Sequence, residues 1–221
     1  MPHFIDRESM AKKINVTFIS DVVCPWCLLA YTRLEKAIEE LKLQARVEID
    51  WQTFLLNPDI PPEGENIYDY GLRKYGRRKS EWQANRSHIT DLGKDLGFTF
   101  DFNESSRVYN TFDAHIILNN INDLSQKTAF KKHLFNAFFT ENKDISNRTV
   151  LAELLNEIGL HIADLSKLFD DPSERKQIKK RAEHWHKMGV SSVPMMVFNK
   201  HNAVSGCREI ADYKQILSEY L

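Results

Sequence analysis

From Ile14 to Ser20 apolar and β-branched residues alternate with polar ones (INVTFIS), the two-residue period of a strand. Leu28, Tyr31, Leu34, Ile38 and Leu41 then recur at threes and fours, which predicts a helix over 28–43. Pro25 suits its first turn, where a missing N–H leaves no bond unmade. Arg46 to Phe54 returns to alternation, with Val47, Ile49, Trp51 and Thr53 on one face. Strand, long helix and strand in close succession predict a βαβ unit with parallel pairing. Asn57-Pro-Asp-Ile-Pro-Pro-Glu-Gly64 is turn chemistry and marks a boundary. Beyond it, strand patterning all but disappears as far as Asp171. Helical spacing appears instead over 66–75, 81–96, 105–120, 125–142, 149–158 and, briefly, 162–169. Asp171-Pro-Ser-Glu174 opens a further helix that runs to about Met188. Met195–Phe198 and Ala203–Ser205 flank a turn and read as a hairpin. Ile210, Tyr213, Ile216 and Leu217 form one face of a closing helix over 209–221. The pattern predicts an α/β fold split in sequence, residues 1–62 and 173–221, with an all-helical domain, 63–172, inserted between. No internal repeat is present.

Composition narrows the classes. The 221 residues are 42% hydrophobic and 28% charged, ordinary for a folded domain with a sizeable core. Thirty Lys and Arg against 31 Asp and Glu leave a formal charge of −1, without the basic excess that general nucleic-acid affinity needs. No apolar run approaches the ~18 residues of a membrane-spanning helix. Met1 to Lys13 is polar and lacks the apolar core of a secretory signal, so a cytoplasmic protein is expected. There, three cysteines read as reactive or metal-binding groups rather than structural staples.

Cys24-Pro25-Trp26-Cys27 sits between the first strand and the first helix. A helix N-terminus gathers unpaired N–H groups and the positive end of the peptide dipoles, so it favours an anion. Thiols in such Cys-x-x-Cys motifs ionise at roughly 3.5–7.5 instead of about 8.5. Cys24 is then the attacking thiol and Cys27, one turn deeper, the resolving one. Trp26 either covers the disulfide or offers substrates an apolar surface. The competing reading is half of a zinc site, but a structural zinc wants four ligands. One further cysteine remains, and His184 and His186 stand two apart on a helix, facing different ways. No metal site is therefore predicted.

Val190-Ser-Ser-Val193-Pro194 precedes the later hairpin. An isolated X–Pro bond is usually trans. Together with a Cys-x-x-Cys at a strand-to-helix turn, however, this is the arrangement of the thioredoxin superfamily, whose cis-proline loop faces the cysteines. The matching stretches DVVCPWC (21–27), FLLNPDIPPEG (54–64), NTFDAH (110–115), GVSSVPMMVFN (189–199) and VSG (204–206) span nearly the whole chain. The sequence resembles the DsbA family of thioredoxin-like oxidoreductases, in its cytosolic FrnE-like branch. That resemblance implies a thioredoxin-like fold with a large all-helical insertion, and thiol–disulfide exchange by Cys24 and Cys27 without an organic cofactor. It implies substrate binding by Pro25, Trp26, Val193 and Pro194, the backbone before the proline pairing with an extended segment. The implied partners are cysteine-containing proteins or peptides, with glutathione as co-substrate or a thioredoxin-type reductant.

Cys207 departs from the family pattern, where a small unreactive residue is expected. In this fold its loop lines the substrate groove. Its first reading is a small hydrophobe in a packed corner; its second, a third redox thiol. Asp21 reads first as a turn or cap residue and second as a proton acceptor with a raised pKa. His115 reads as an interface histidine, Arg73 to Lys79 as a solvated basic helix end, and Phe130, Leu134, Ala137 and Phe138 as core. Two rivals to the exchange reading are a glutathione-dependent transferase or isomerase of the kappa type and a non-catalytic binding module. The first typically has serine in place of Cys24 and lacks the second cysteine. No glycine-rich phosphate loop or nucleophile elbow appears.

Overall fold

The computed structural model describes residues 12–221. Strand β1 (Ile14–Ser20) leads into helix α1 (Pro25–Glu40) and strand β2 (Val47–Thr53). Then follow β3 (Glu65–Asn66), α2 (Ile67–Tyr75), α3 (Lys79–Leu96), β4 (Arg107–Val108), α4 (Phe112–Asn120) and α5 (Leu124–Phe139). Helices α6 (Arg148–Glu157), α7 (Leu165–Asp170) and α8 (Pro172–Lys187) precede the hairpin β5 (Met195–Phe198) and β6 (Asn202–Ser205), and α9 (Ile210–Ser218) closes the chain.

The main sheet has the order β2-β1-β5-β6. As the βαβ pattern requires, β1 pairs parallel with β2, Ile14 opposite Val47 and Ser20 opposite Thr53. On its other edge β1 runs antiparallel to β5, Val16 opposite Phe198, and β5 turns back on β6. Ile14, Val16 and Phe18 point into the core that holds Leu29, Leu34 and Ala37 of α1. Ile19 points the other way, into a smaller cluster with Phe54 and Val190 that Trp185 of α8 backs. Alternation in β1 fades at Phe18-Ile19-Ser20 because both sheet faces are covered there.

The helices between β2 and β5 share the sheet's core: Phe130, Leu134, Phe135 and Phe138 of α5 belong to the same cluster as Val16 and Phe18. Trp51 of β2 joins the two. Its ring stacks on Phe18 at 4.5 Å between centroids, and its Nε1–H donates to Thr128 Oγ1 of α5 at 2.9 Å. Trp51→Phe keeps most of the packing and loses that bond. It is expected to lower unfolding free energy by about 1–2 kcal/mol, measured by urea denaturation.

Two expected helices are shorter than their hydrophobic patterns. The predicted 105–120 helix begins only at Phe112. Upstream, Asn103 Oδ1 accepts from the Ser105 N–H at 2.9 Å and Ser106 Oγ from the Asn103 N–H at 3.0 Å, local bonds that compete with a helix. Arg107 and Val108 pair instead with Asn66 and Glu65, a short ladder tying the inserted helices together. Helix α5 stops at Phe139, and its chain reverses at Asn142, whose φ of 52° is left-handed. Among the described residues no helix is long and apolar enough to cross a membrane. The polar Met1–Lys13 stretch behind the cytoplasmic expectation lies, for residues 1–11, outside the described residues.

Candidate active site

Cys24 is the N-cap of α1, extended at φ −93° and ψ 108°, with Pro25 following in the first turn. No acidic residue stands in that turn, so no carboxylate competes for the positive end of the helix. The Cys27 N–H donates to the Cys24 carbonyl at 3.0 Å, one step of the helical ladder that places the second sulfur behind the first. Both cysteines are free, Cys24 4% exposed and Cys27 fully buried. Burial pushes the Cys27 thiol well above its ordinary range, and the neighbouring Cys24 sulfur adds to this. Cys27 is thus kept protonated beneath a more accessible partner.

The Val193–Pro194 bond is cis. The Cys24 thiol points at the Val193 carbonyl, 3.7 Å away. Pro194 is buried, and its carbonyl accepts from the Gly206 N–H at 2.9 Å, which ties this loop to the end of β6. Cys24, Pro25, Trp26 and Val193 line one cavity of about 500 Å³, together with Phe54 to Asn57 and residues of α2 and α3. Five of the predicted site residues, Pro194 included, therefore meet in space from segments some 170 positions apart, a span set by the Cys24–Val193 contact.

Beneath the cysteines lies a buried charged set. Asp21, 0% exposed, ends β1; its Oδ2 accepts from the Leu56 N–H at 2.7 Å and its Oδ1 stands 3.3 Å from His115 Nε2 of α4. The raised pKa expected for Asp21 is corrected here. Burial pushes it up, but His115, the Leu56 N–H and the charge of Lys131 together hold it below 3.8. Burial lowers His115 in turn, so the pair is a carboxylate with a neutral imidazole whose Nε2–H donates. His115 is the interface residue expected, joining α4 to the end of β1. Asp21 is more than a cap: it anchors the start of the segment after β2.

Lys131 of α5, 1% exposed, completes the set, drawn down to about 8 by burial against the opposing pull of Asp21. Its Nζ lies 5.3 Å from the Trp51 ring and 5.4 Å from that of Phe135. Sequence reasoning missed this residue, although a signal existed: Lys131, Leu134, Phe135 and Phe138 occupy one helical face, so a lysine holds a core slot.

The basic stretch is the exposed helix end expected: Arg73 pairs with Glu65, its Nε donating to Oε1 at 2.8 Å, while Lys74, also at the cavity rim, donates to the Leu56 carbonyl and Asn57 Oδ1, each at 2.6 Å. Cys207 is not among the cavity-lining residues, contrary to the groove position expected for its loop. Its sulfur accepts from Arg33 Nη1 of α1 at 3.4 Å, while the same nitrogen donates to the Arg208 carbonyl at 3.2 Å and pairs with Glu209 at 2.9 Å. Burial raises the Cys207 thiol above its ordinary value despite Arg33, and Cys24 is near enough to add to that rise. Among the described residues no three His, Cys, Asp or Glu gather as a metal site.

A curated relative, a protein of Bacillus subtilis called YwbO and described as uncharacterized, is 22% identical over 185 residues, 83% of this chain and 86% of its own. The solved structure of a probable DsbA oxidoreductase of Streptomyces coelicolor superposes with a TM-score of 0.84 at 21% identity, over 94% of this chain and 89% of that one. The cytosolic disulfide reductase DsbM of Pseudomonas aeruginosa, solved with GSH, gives 0.62 at 17% identity, over 93% and 98%. At these identities the superpositions establish the fold: a thioredoxin-like domain carrying inserted helices. The model of the DSBA-like thioredoxin domain matches residues 15–218, from β1 to the end of α9, with the dithiol at the head of α1 inside it. By that match the chain belongs to the DSBA-like thioredoxin domain family.

Proposed function

We propose that this protein is a thiol–disulfide oxidoreductase of the cytosolic FrnE-like kind, with Cys24 as nucleophile and Cys27 as resolving thiol. The observation that carries the reading is the position of Cys24: N-cap of α1, its sulfur 3.7 Å from the carbonyl before Pro194. The Cys24 thiolate attacks one sulfur of a substrate disulfide, forms a mixed disulfide and releases the other half as a thiolate. The Cys27 thiol gives up its proton and attacks Cys24 Sγ, closing the Cys24–Cys27 bond and releasing the second substrate sulfur. Two electrons pass to the substrate, and its two thiolates take up two protons. The reverse sequence oxidises a dithiol substrate. Pro25 and Trp26 form one wall of the substrate site, and Val193 presents backbone to an extended segment. Cysteine-containing proteins or peptides are the substrates, and glutathione, present with DsbM, or a thioredoxin-type protein resets the dithiol in the cytoplasm.

The raised Cys27 thiol makes resolution the step most open to interruption. Cys27→Ala is expected to accumulate mixed disulfides with reduced-and-oxidised insulin or with cell proteins, seen as dithiothreitol-sensitive bands on non-reducing gels. The same preparation carrying Cys24→Ser as well is expected to show none. Equal bands from both proteins would overturn the assignment of roles.

A further inference from the structure

Four buried polar side-chain atoms lack a hydrogen-bond partner among the described residues: Ser20 Oγ, Asn57 Nδ2, Trp82 Nε1 and Arg86 Nε. The last three are all N–H donors with no surface open to water, and the residues that carry them form part of the wall of the cavity that holds Cys24. A buried donor left unmade costs about 1–3 kcal/mol, and more when charged. Of the three residues, Arg86 brings a charge to the cavity wall beside Cys24.

Each donor is held in place by its surroundings. Asn57 Oδ1 accepts from both the Tyr70 hydroxyl, at 2.9 Å, and Lys74 Nζ, at 2.6 Å, so the amide is oriented and its NH₂ remains as donor. Trp82 is 4% exposed and stacks on Tyr75 at 5.5 Å between centroids. The Arg86 guanidinium lies between two rings, its Cζ 4.4 Å from that of Trp82 and 4.6 Å from that of Phe102. Among the described residues no carboxylate forms an ion pair with Arg86. Burial pulls Arg86 down to about 10, which leaves it charged at neutral pH, and Cys24 is close enough to favour that charge. Asp101, the acid in the cavity lining, is already engaged by Asn142 Nδ2 at 2.8 Å.

We propose that Arg86, backed by Trp82 and Asn57, forms a carboxylate-binding subsite, and that Cys24 reacts with small-molecule disulfides bearing a carboxylate as well as with protein disulfides. This rests on the exchange reading and adds a substrate class to it. A cavity of about 500 Å³ is of small-ligand size, within the roughly 300–1,000 Å³ of such sites. A planar guanidinium gripped by aromatic rings and lacking an acidic partner suits the two oxygens of a carboxylate.

The test compares 3,3′-dithiodipropionate with neutral bis(2-hydroxyethyl) disulfide, mixing each with pre-reduced protein and following thiol loss. The half-saturating concentration for the dicarboxylate is expected to rise at least about tenfold in Arg86→Gln, the size of one charged hydrogen bond, with the limiting rate within about twofold. Values for the neutral disulfide are expected to stay put, and Arg86→Lys to recover part of the loss. Calorimetric titration of Cys24→Ser with 3,3′-dithiodipropionate reads binding without exchange, and adding Arg86→Gln is expected to abolish it. Equal half-saturation for the two disulfides in the unaltered protein, or equal loss for both in Arg86→Gln, overturns the subsite. Reaction with disulfide-linked acidic peptides alone overturns the small-molecule assignment. Arg86-dependent binding to Cys24→Ser, with no reaction of either disulfide in the unaltered protein, sinks the exchange reading and leaves the subsite standing.

Discussion

Cys24→Ser is expected to abolish disulfide reduction, with a fall of more than about a thousandfold in the rate of insulin reduction by dithiothreitol-recharged protein. A serine hydroxyl neither ionises in the working range nor forms the mixed disulfide on which both later steps depend. The substitution is also conservative for the fold. Cys24 caps α1 without a side-chain hydrogen bond, and serine is among the best N-cap residues. The melting temperature is therefore expected to hold or rise while activity disappears. Full activity in this variant would end the exchange reading.

Lys131→Met is expected to remove a rise in stability between about pH 8 and 10.5 that the unaltered protein shows, because that rise comes from a lysine that burial makes easier to deprotonate in the folded protein. The pH dependence identifies the cause. In the unaltered protein Asp21 ionises more readily when folded, so its stabilisation is present above the unfolded value of 3.8 and is lost as pH falls through the lower folded one. Lys131 behaves oppositely. Between about 8, its folded pKa, and 10.5 the unfolded chain holds a proton that the folded protein has shed, so stability rises with pH across that window. Lys131→Met removes this alkaline rise. It also lets the Asp21 pKa climb, so the stability that Asp21 contributes is lost at a higher pH than in the unaltered protein. Urea denaturation at acid, neutral and alkaline pH reads both effects. An alkaline rise that persists in Lys131→Met would mean that another group causes it.

The hydrophobic periods placed β1 and α1 to within a few residues of their ends, because each element buries one face and its period follows from that face. They failed where local side-chain bonds outbid the period, as at Asn103 to Ser106, whose turn delays α4 to Phe112. The placement of Cys24, Trp26 and Cys27 at a helix start was legible because it depends on spacing along the chain. Lys131 and Arg86 were not, since lysines and arginines on helices usually reach water, and only the packing of α5 on Trp51 and of α3 on Phe102 removes these two from it.

The Asp21 carboxylate shows the same limit from another side: sequence offered burial, which raises its pKa, while the fold added His115, the Leu56 N–H and Lys131 and reversed the direction. Cys207 shows it again, since its partner Arg33 stands 174 positions away on α1. By itself the chain's order of residues determined the βαβ start, the dithiol at a helix head, the loop before Pro194 and the helical character of the inserted segment. These depend on neighbours along the chain. Only the tertiary structure decided which charges are buried together beneath Cys27 and which donors are left unpaired in the cavity wall. Burial and charge–charge energies depend on distances through space, and those exist only once the inserted helices have closed over the sheet.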